Sequence, residues 1–186
     1  MKIRLAGNLQ RDSIVDGEGL RTVIWTQGCS HNCLGCHNPE THDFNAGFSV
    51  DIEEIKQEIK NLQYQDGITF SGGDPFFQAS ACAEIAKYAK ELGLNIWSYT
   101  GYTYEQLLDI SKKNPKILEF LKSIDVLVDG RFVLTQKSLN VKFRGSTNQR
   151  IIDVKKSLNT GETCIITKYD DIDNMNLLKK RRELYI

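Results

Sequence analysis

Three cysteines lie close together in the first quarter of the chain. Cys29, Cys33 and Cys36 follow the spacing C-x3-C-x2-C, so one loop offers three thiolates. A closed tetrahedral metal site needs four ligands, whereas iron–sulfur clusters are held by thiolates in short runs of this kind. The loop therefore predicts a four-iron cluster held at three corners, with one iron open to a small molecule. The alternative is a structural zinc site in which His37 or His42 supplies the fourth ligand.

The segments that would position this loop alternate between strands and helices. β-branched and aromatic runs predict strands, and apolar residues at spacings of three and four predict amphipathic helices. The predicted strands span residues 22–26, 68–71, 94–99 and 124–128, with later strands suggested at 139–143 and 163–167. The predicted helices span residues 51–63, 78–92, 103–112 and 115–122. In this interpretation residues 1–21 are polar and turn-rich, and the first strand begins at residue 22.

This order predicts an α/β fold with consecutive parallel strands and crossover helices. A closed barrel of eight such units takes about 250 residues, and this chain has 186. We therefore expect an open partial (β/α) barrel of mostly parallel strands. We expect one domain over residues 1–186, with a core at about 12–155. Residues 156–186 form a C-terminal extension of open role, and its basic run at 179–182 is expected to be a solvated helix end.

The amino-acid composition limits the classes of function that this protein could have. Lys plus Arg and Asp plus Glu number 24 each, so no global field favours nucleic acid as a partner. No run approaches the ~20 apolar residues of a membrane span, and we expect a cytoplasmic protein. The cysteine count is five, an odd number. In a reducing compartment it indicates metal or redox chemistry rather than a disulfide framework.

Polar and glycine-rich turns follow each predicted parallel strand. They are the cysteine loop and residues 72–74, 100–102 and 129–130. Because ligands sit beyond the carboxyl ends of parallel strands, these turns should meet on one face. Gly72 and Gly73 would let a ligand approach the backbone closely, Asp74 offers a carboxylate to an ammonium group, and Thr100 offers a hydroxyl. Such a polar mouth favours the open cluster over the zinc site.

These residues resemble a known superfamily. The C-x3-C-x2-C loop after one strand, with Gly72-Gly73-Asp74-Pro75 after the next, is similar to the radical S-adenosylmethionine (SAM) enzymes. The segment 16–21, Asp-Gly-x-Gly-x-Arg, resembles the activases of glycyl-radical enzymes. Segments 97–102, 127–132 and 144–149 are most similar to the anaerobic ribonucleoside-triphosphate reductase-activating proteins. Two features depart from these patterns: Gly35 stands where an aromatic residue is frequent, and His37-Asn38 looks more like the pyruvate formate-lyase activases.

The resemblance implies a fold of radical SAM type, a function and its cofactors. Cys29, Cys33 and Cys36 would hold a [4Fe-4S] cluster whose free iron chelates the amino and carboxylate groups of SAM. The implied SAM contacts are Gly35, Cys36, His37, Gly72, Gly73, Asp74 and Thr100. Reductive cleavage of SAM would give a 5′-deoxyadenosyl radical that takes a hydrogen atom from a backbone glycine of the partner enzyme.

The implied partners are a large anaerobic ribonucleotide reductase and a one-electron donor such as flavodoxin or ferredoxin, with no nucleic acid and no membrane. The alternatives are an activase of another glycyl-radical enzyme, such as pyruvate formate-lyase, and a radical SAM enzyme acting on a small molecule. A non-enzymatic zinc or electron-transfer module is a further alternative.

Two further cysteines and two histidines are not expected to be ligands of the cluster. Cys82 lies on the apolar face of a predicted helix and Cys164 within a predicted strand, so both are expected to be buried thiols without a role in the site. His31 and His42 are expected on the surface of the loop, where either could border the cluster.

Overall fold

The structure is a computed structural model that describes residues 1–170. Eight strands form one mixed sheet, and five α-helices cover it. The strands are β1 Lys2–Leu5, β2 Gln10–Ser13, β3 Arg21–Thr26, β4 Phe48–Asp51, β5 Gly67–Gly72, β6 Asn95–Tyr99, β7 Val126–Asp129 and β8 Arg150–Asp153. The helices are α1 Ile52–Lys60, α2 Ala79–Glu91, α3 Tyr104–Ser111, α4 Pro115–Ser123 and α5 Val154–Thr160.

The sheet has a parallel centre and antiparallel edges. Its order is β4-β1-β3-β5-β6-β7-β8, and β2 pairs separately with β3. Strands β3, β5, β6 and β7 are parallel neighbours, whereas β1, β2, β4 and β8 each run antiparallel to the strand they join. Because β4 and β8 are the two ends of this order, the sheet formed by residues 1–170 does not close on itself. The prediction of an open α/β sheet with mostly parallel central strands is confirmed.

Local sequence signals account for the helix starts. The Asp51 carboxylate accepts a hydrogen bond from the Glu53 amide at the start of α1. Thr103 and Gln106 form a reciprocal capping box before α3, and Asn114 caps α4, which opens with Pro115. Helix α2 has no side-chain cap at Gln78 and is predicted from its apolar periodicity alone. All four helices predicted from the sequence lie within three residues of their observed ends.

The core lies between the sheet and the helices. Ile24, Phe70, Ile96 and Leu127 come from the four parallel strands, and each is completely buried. Phe120 of α4 packs edge-on against Phe70 with ring centroids 5.2 Å apart. This core fixes where the strands end and therefore where the loops that follow them lie.

Three strand predictions were wrong. Residues 1–21 contain β1 and β2, which are only four residues long. β1 pairs with β4 along its whole length and β2 pairs with β3, so both strands depend on partners elsewhere in the chain rather than on a local signal. Residues 139–143 form no strand, and the Leu139 side chain is 94% exposed. At 163–167 a single bridge, Ile152 to Ile165, replaces the expected strand.

The described part of the C-terminal extension runs from edge strand β8 to the loop before β3. The Ile166 amide donates to the Ile151 carbonyl of edge strand β8. Further on, Lys168 Nζ and the Tyr169 hydroxyl each lie 2.7 Å from Glu18, in the loop before β3. Residues 163–170 therefore connect one edge of the sheet to its centre. The basic run predicted at 179–182 lies outside the described residues.

Arg21, the last residue of the activase-like segment, has a structural position. It is 1% exposed at the amino end of β3, opposite the cysteine loop, and its guanidinium donates to neutral oxygens of Glu18, Thr69, Ile68 and Asn95. Burial lowers the pKa of Arg21 to about 10, so the group stays charged at neutral pH. Arg21 therefore joins β3, β5 and β6 at the end of the sheet away from the site.

An ion pair beside α3 predicts a weak acid dependence of stability. Hydrogen bonds from Arg150 lower the pKa of Glu105 from 4.5 to about 2. A depressed folded-state pKa stabilises the protein above the unfolded pKa, and this contribution is lost as the pH falls toward 2. Because Glu105 is 53% exposed, solvent screening limits the effect to under about 1 kcal/mol.

We therefore expect Glu105→Gln to flatten the dependence of the unfolding free energy on pH between about 5 and 2. Urea titrations across that range measure it, with Glu53→Gln on the exposed face of α1 as the control. An unchanged slope would show that the Arg150 pair contributes nothing in solution.

None of the helices within residues 1–170 combines the length and apolar composition needed to cross a membrane.

Candidate cluster and cofactor site

A cavity of about 370 Å³ opens at the carboxyl ends of the parallel strands. Its size falls within the usual range of small-molecule sites, about 300–1,000 Å³. All three cysteines of the loop line it, together with the turns that follow β5 and β6. The topology therefore brings the predicted turns to one face. From the predicted site set, Cys29, Cys33, Cys36, His37, Gly72, Gly73 and Thr100 line this cavity, whereas Gly35 and Asp74 do not.

Backbone hydrogen bonds hold the start of the cysteine loop. The Gly28 amide donates to the Thr41 carbonyl at 2.8 Å, and the Cys29 amide donates to the His42 carbonyl at 3.1 Å. The Cys36 amide then donates to the Cys33 carbonyl at 3.1 Å, which makes a tight turn between the second and third thiols. Gly28 has a φ of +105°, a backbone conformation that favours glycine. The loop is thus anchored before its first thiol.

The three thiols are free and partly buried. Burial raises the pKa of Cys29 to about 11, and burial also raises the pKa of Cys33. Both thiols would therefore be protonated at neutral pH before a cluster is bound. Metal binding must displace these protons, because the thiolate is the ligand.

The donor set fits an iron–sulfur cluster. Three thiols face one cavity, and a cluster takes thiolate ligands on different irons, so the sulfurs need not converge on one point. Within residues 1–170, no three His, Cys, Asp or Glu side chains converge as ligands of a single metal ion would.

Close backbone packing explains the two glycines after β5. A Cβ on Gly72 would lie 2.5 Å from the Thr26 carbonyl oxygen, and one on Gly73 would collide with the Gly28 carbonyl oxygen. The Gly73 amide donates to the Thr26 carbonyl at 2.7 Å, and the Asp74 amide to that of Gly28 at 2.9 Å. The sequence interpretation assigned these glycines to ligand approach alone. The structure adds that they let the end of β5 pack against the base of the cysteine loop.

Comparison with known proteins places the chain in a family. Residues 15–152 match the model of the 4Fe-4S single cluster domain. An anaerobic ribonucleoside-triphosphate reductase-activating protein of Pasteurella multocida is 33% identical over 147 residues, covering 74% of this chain and 90% of that protein. The protein of that name from phage T4 is 33% identical, covering 74% of this chain and 86% of its own length. The one from Escherichia coli K12 is 34% identical, covering 73% of this chain and 90% of its own length.

This chain belongs to the anaerobic ribonucleoside-triphosphate reductase-activating protein family. The resemblance drawn from the cysteine loop and the later segments is confirmed, and the 4Fe-4S match favours the cluster over the zinc site. Among solved structures, QueE from E. coli aligns with 55% of this chain and 54% of its own, with a TM-score of 0.46 and 15% identity.

Two family-like segments meet beside the third cysteine. The exposed ring of His37 lies on Phe132, with centroids 4.9 Å apart. A Cβ on Gly145 would lie 2.9 Å from both rings, so glycine is required for this contact. Segments 127–132 and 144–149 therefore build the wall of the cavity next to Cys36. Phe132 was not among the predicted site residues, although it ends segment 127–132, which resembles the activating proteins.

Arg144 also lines the cavity, and its guanidinium is bound by Gln149 and by the C-terminal segment. One amino group donates to the Tyr169 carbonyl at 3.2 Å and lies 2.8 Å from the Asp170 carboxylate. The other donates to the Gln149 carbonyl at 3.2 Å. Arg144 thus ties the C-terminal segment to the wall of the site, a contact that no local pattern indicates.

The expectations for the remaining histidines and cysteines had mixed outcomes. Cys82 is completely buried in α2, as predicted. Cys164 is only half-buried and lies outside any strand, because residues 163–167 pair with β8 through one bridge. His42 is half-buried and borders the cavity. His31 was expected on the surface, but it is 8% exposed because its ring packs under the turn after β6.

Proposed function

We propose that this chain is a radical SAM activase that generates a glycyl radical on an anaerobic ribonucleoside-triphosphate reductase. The observation that carries the proposal is the position of the three cysteines, which line one open cavity with the turns after β5 and β6. Membership of the activating-protein family supports the same substrate class. The cavity has room for a cofactor of nucleoside size beside the thiols.

Each group of residues has a proposed part. Cys29, Cys33 and Cys36 hold the [4Fe-4S] cluster. The backbone of Gly72 and Gly73 borders the methionyl end of SAM, the Thr100 hydroxyl lies beside it, and the stretch from Gly35 through Cys36 to His37 borders the adenine. When bound, the reduced cluster would supply the one-electron cleavage of the SAM sulfonium, and with it the radical that the reaction needs.

The open sheet supports a macromolecular substrate. A backbone glycine can reach the cofactor only if a protein loop can enter the site. The sheet ends at β4 and β8 without closing, and the cavity opens on the same face as the exposed His37 ring. Phe132 and Phe143 line the cavity and would exclude water from the radical.

The reaction also needs one electron for each SAM cleaved. The proposed donor is a small one-electron carrier of the flavodoxin or ferredoxin class, and no part is proposed for nucleic acid or membrane. The balanced charge of the chain, 24 basic and 24 acidic residues, supports the absence of a nucleic-acid partner.

Electron paramagnetic resonance (EPR) tests the function directly. The reconstituted protein is mixed anaerobically with SAM, a reductant and a large anaerobic ribonucleotide reductase. We expect a glycine-centred doublet on the reductase, together with 5′-deoxyadenosine and methionine. A reductase with alanine at its radical glycine is the control and should give no doublet. A doublet obtained with pyruvate formate-lyase and never with the reductase would overturn the proposed partner. The likeness of His37-Asn38 to the pyruvate formate-lyase activases would then have indicated the correct partner.

A further inference from the structure

The Asp74 carboxylate is the centre of a buried hydrogen-bond network. It is 1% exposed and does not line the cavity. Its Oδ2 accepts from His31 Nε2 at 2.7 Å, from the Thr100 hydroxyl at 2.8 Å and from the Gly101 amide at 3.0 Å. Its Oδ1 accepts from the Phe76 amide at 3.0 Å. Four donors from three different loops therefore converge on one side chain.

These donors join the parts of the site that must keep a fixed separation. His31 lies between the first and second cysteines. Thr100 and Gly101 form the turn after β6, and Asp74 itself follows the Gly72-Gly73 turn after β5. One carboxylate therefore connects the cysteine loop to the two turns that face it.

The packing of His31 shows that this connection is specific. Its ring meets the edge of Tyr102 with centroids 4.6 Å apart, and a Cβ on Gly101 would collide with it. Both side chains of the pair are almost inaccessible, at 5% for His31 and 1% for Asp74. The ring can therefore occupy this place only because residue 101 is a glycine.

Three of the four donors contact Oδ2 of Asp74 and one contacts Oδ1. The carboxylate is 1% exposed and does not line the cavity, so a direct bond to the SAM ammonium would require the packing around it to open. The network forms between residues of the chain itself and needs no ligand.

We infer that Asp74 and His31 are positioning residues, which fix the distance and orientation between the cysteine loop and the Gly72-Gly73 backbone. The inference rests on the proposed function, because it concerns the position of the cluster relative to SAM. It gives His31 a role, and it makes the effect of Asp74 on SAM indirect.

A set of His31 and Asp74 variants tests this. His31→Leu removes the donor, and His31→Gln keeps an amide donor near the place of Nε2. Asp74→Asn disturbs the acceptor, and the double variant combines Asp74→Asn with His31→Leu. Each protein is reconstituted anaerobically. The measurements are iron content, the melting temperature of the apo form, the SAM dissociation constant, and the EPR spectrum of the reduced cluster with and without SAM.

We expect His31→Leu and Asp74→Asn each to raise the SAM dissociation constant by about tenfold, and the double variant to do no more than either, because both cut the same connection. His31→Gln should stay within about twofold of the unsubstituted protein. The change in the EPR spectrum caused by SAM should weaken in parallel. Should His31→Leu fail to fold, His31→Asn, whose side chain is too short to reach Asp74, replaces it.

Asp125→Asn is the control. Asp125 precedes β7 at the amino end of the sheet, where its carboxylate accepts hydrogen bonds from Lys90 and from the Ile96 amide at 2.8 Å, and it does not line the cavity. It should lower the melting temperature without changing the SAM dissociation constant. An effect of Asp74→Asn on SAM without any effect of His31→Leu would overturn the inference and make Asp74 a direct ligand. Unchanged SAM binding in both variants would also overturn it. Absence of SAM binding in the unsubstituted protein would instead count against the proposed function.

Discussion

Replacing Cys33 with alanine is expected to abolish the iron–sulfur chromophore of the reconstituted protein. The loop supplies three thiols to the cavity, so a cluster held by three thiolates loses one corner, and neither of the other two cysteines lines the cavity to replace it. Iron and sulfide analysis should fall from about four of each per chain to near zero. The absorbance near 400 nm and all SAM cleavage should disappear with them. The same result is expected for Cys29→Ala and Cys36→Ala.

The other two cysteines provide the controls. Cys82→Ala removes a completely buried thiol from α2, and Cys164→Ala removes a half-buried one near the end of α5. Both proteins should keep full iron content, because neither thiol lines the cavity. Full iron in Cys33→Ala, or stoichiometric zinc in the unsubstituted protein, would contradict the cluster assignment.

Gly73→Ala should destabilise the protein and disturb the cysteine loop together. The added Cβ would collide with the Gly28 carbonyl oxygen, which is backbone and cannot rotate away. The Gly28 carbonyl also accepts the Asp74 amide, so a shift would break that bond one residue before Cys29. We expect a loss of roughly 2–4 kcal/mol in the free energy of unfolding, measured by urea titration. Reduced iron incorporation should accompany it.

Gly7→Ala is the matched control for this substitution. A Cβ on Gly7 would meet nothing within 4 Å, and its φ is not in the left-handed region. The unfolding free energy should stay within about 0.5 kcal/mol of the starting protein. If Gly73→Ala proved equally neutral and only weakened SAM binding, ligand approach would be the whole reason for the glycine.

The predictable part of the fold is the part with a local signal. Helices α1 to α4 have apolar periodicity in their own residues, and α1, α3 and α4 also have side-chain caps. Strands β3, β5, β6 and β7 are buried runs rich in β-branched and aromatic residues. Edge strands lack such signals. β2 has the sequence Gln-Arg-Asp-Ser, with three exposed side chains, and it is a strand because β3 offers it hydrogen bonds.

The sequence by itself indicated the chemistry of this protein. The spacing of Cys29, Cys33 and Cys36 predicts three thiolate ligands from one loop, and the alternation of strands and helices predicts that this loop lies at the carboxyl ends of a parallel sheet. Only the tertiary structure decided what surrounds the thiols. His31 lies 43 residues before Asp74, and Thr100 lies 26 residues after it. No local pattern relates residues at such separations, because their contact depends on the packing of whole strands. For the same reason Asp74 was predicted from the sequence to bind SAM, whereas in the fold its carboxylate accepts hydrogen bonds from four donors of the chain itself.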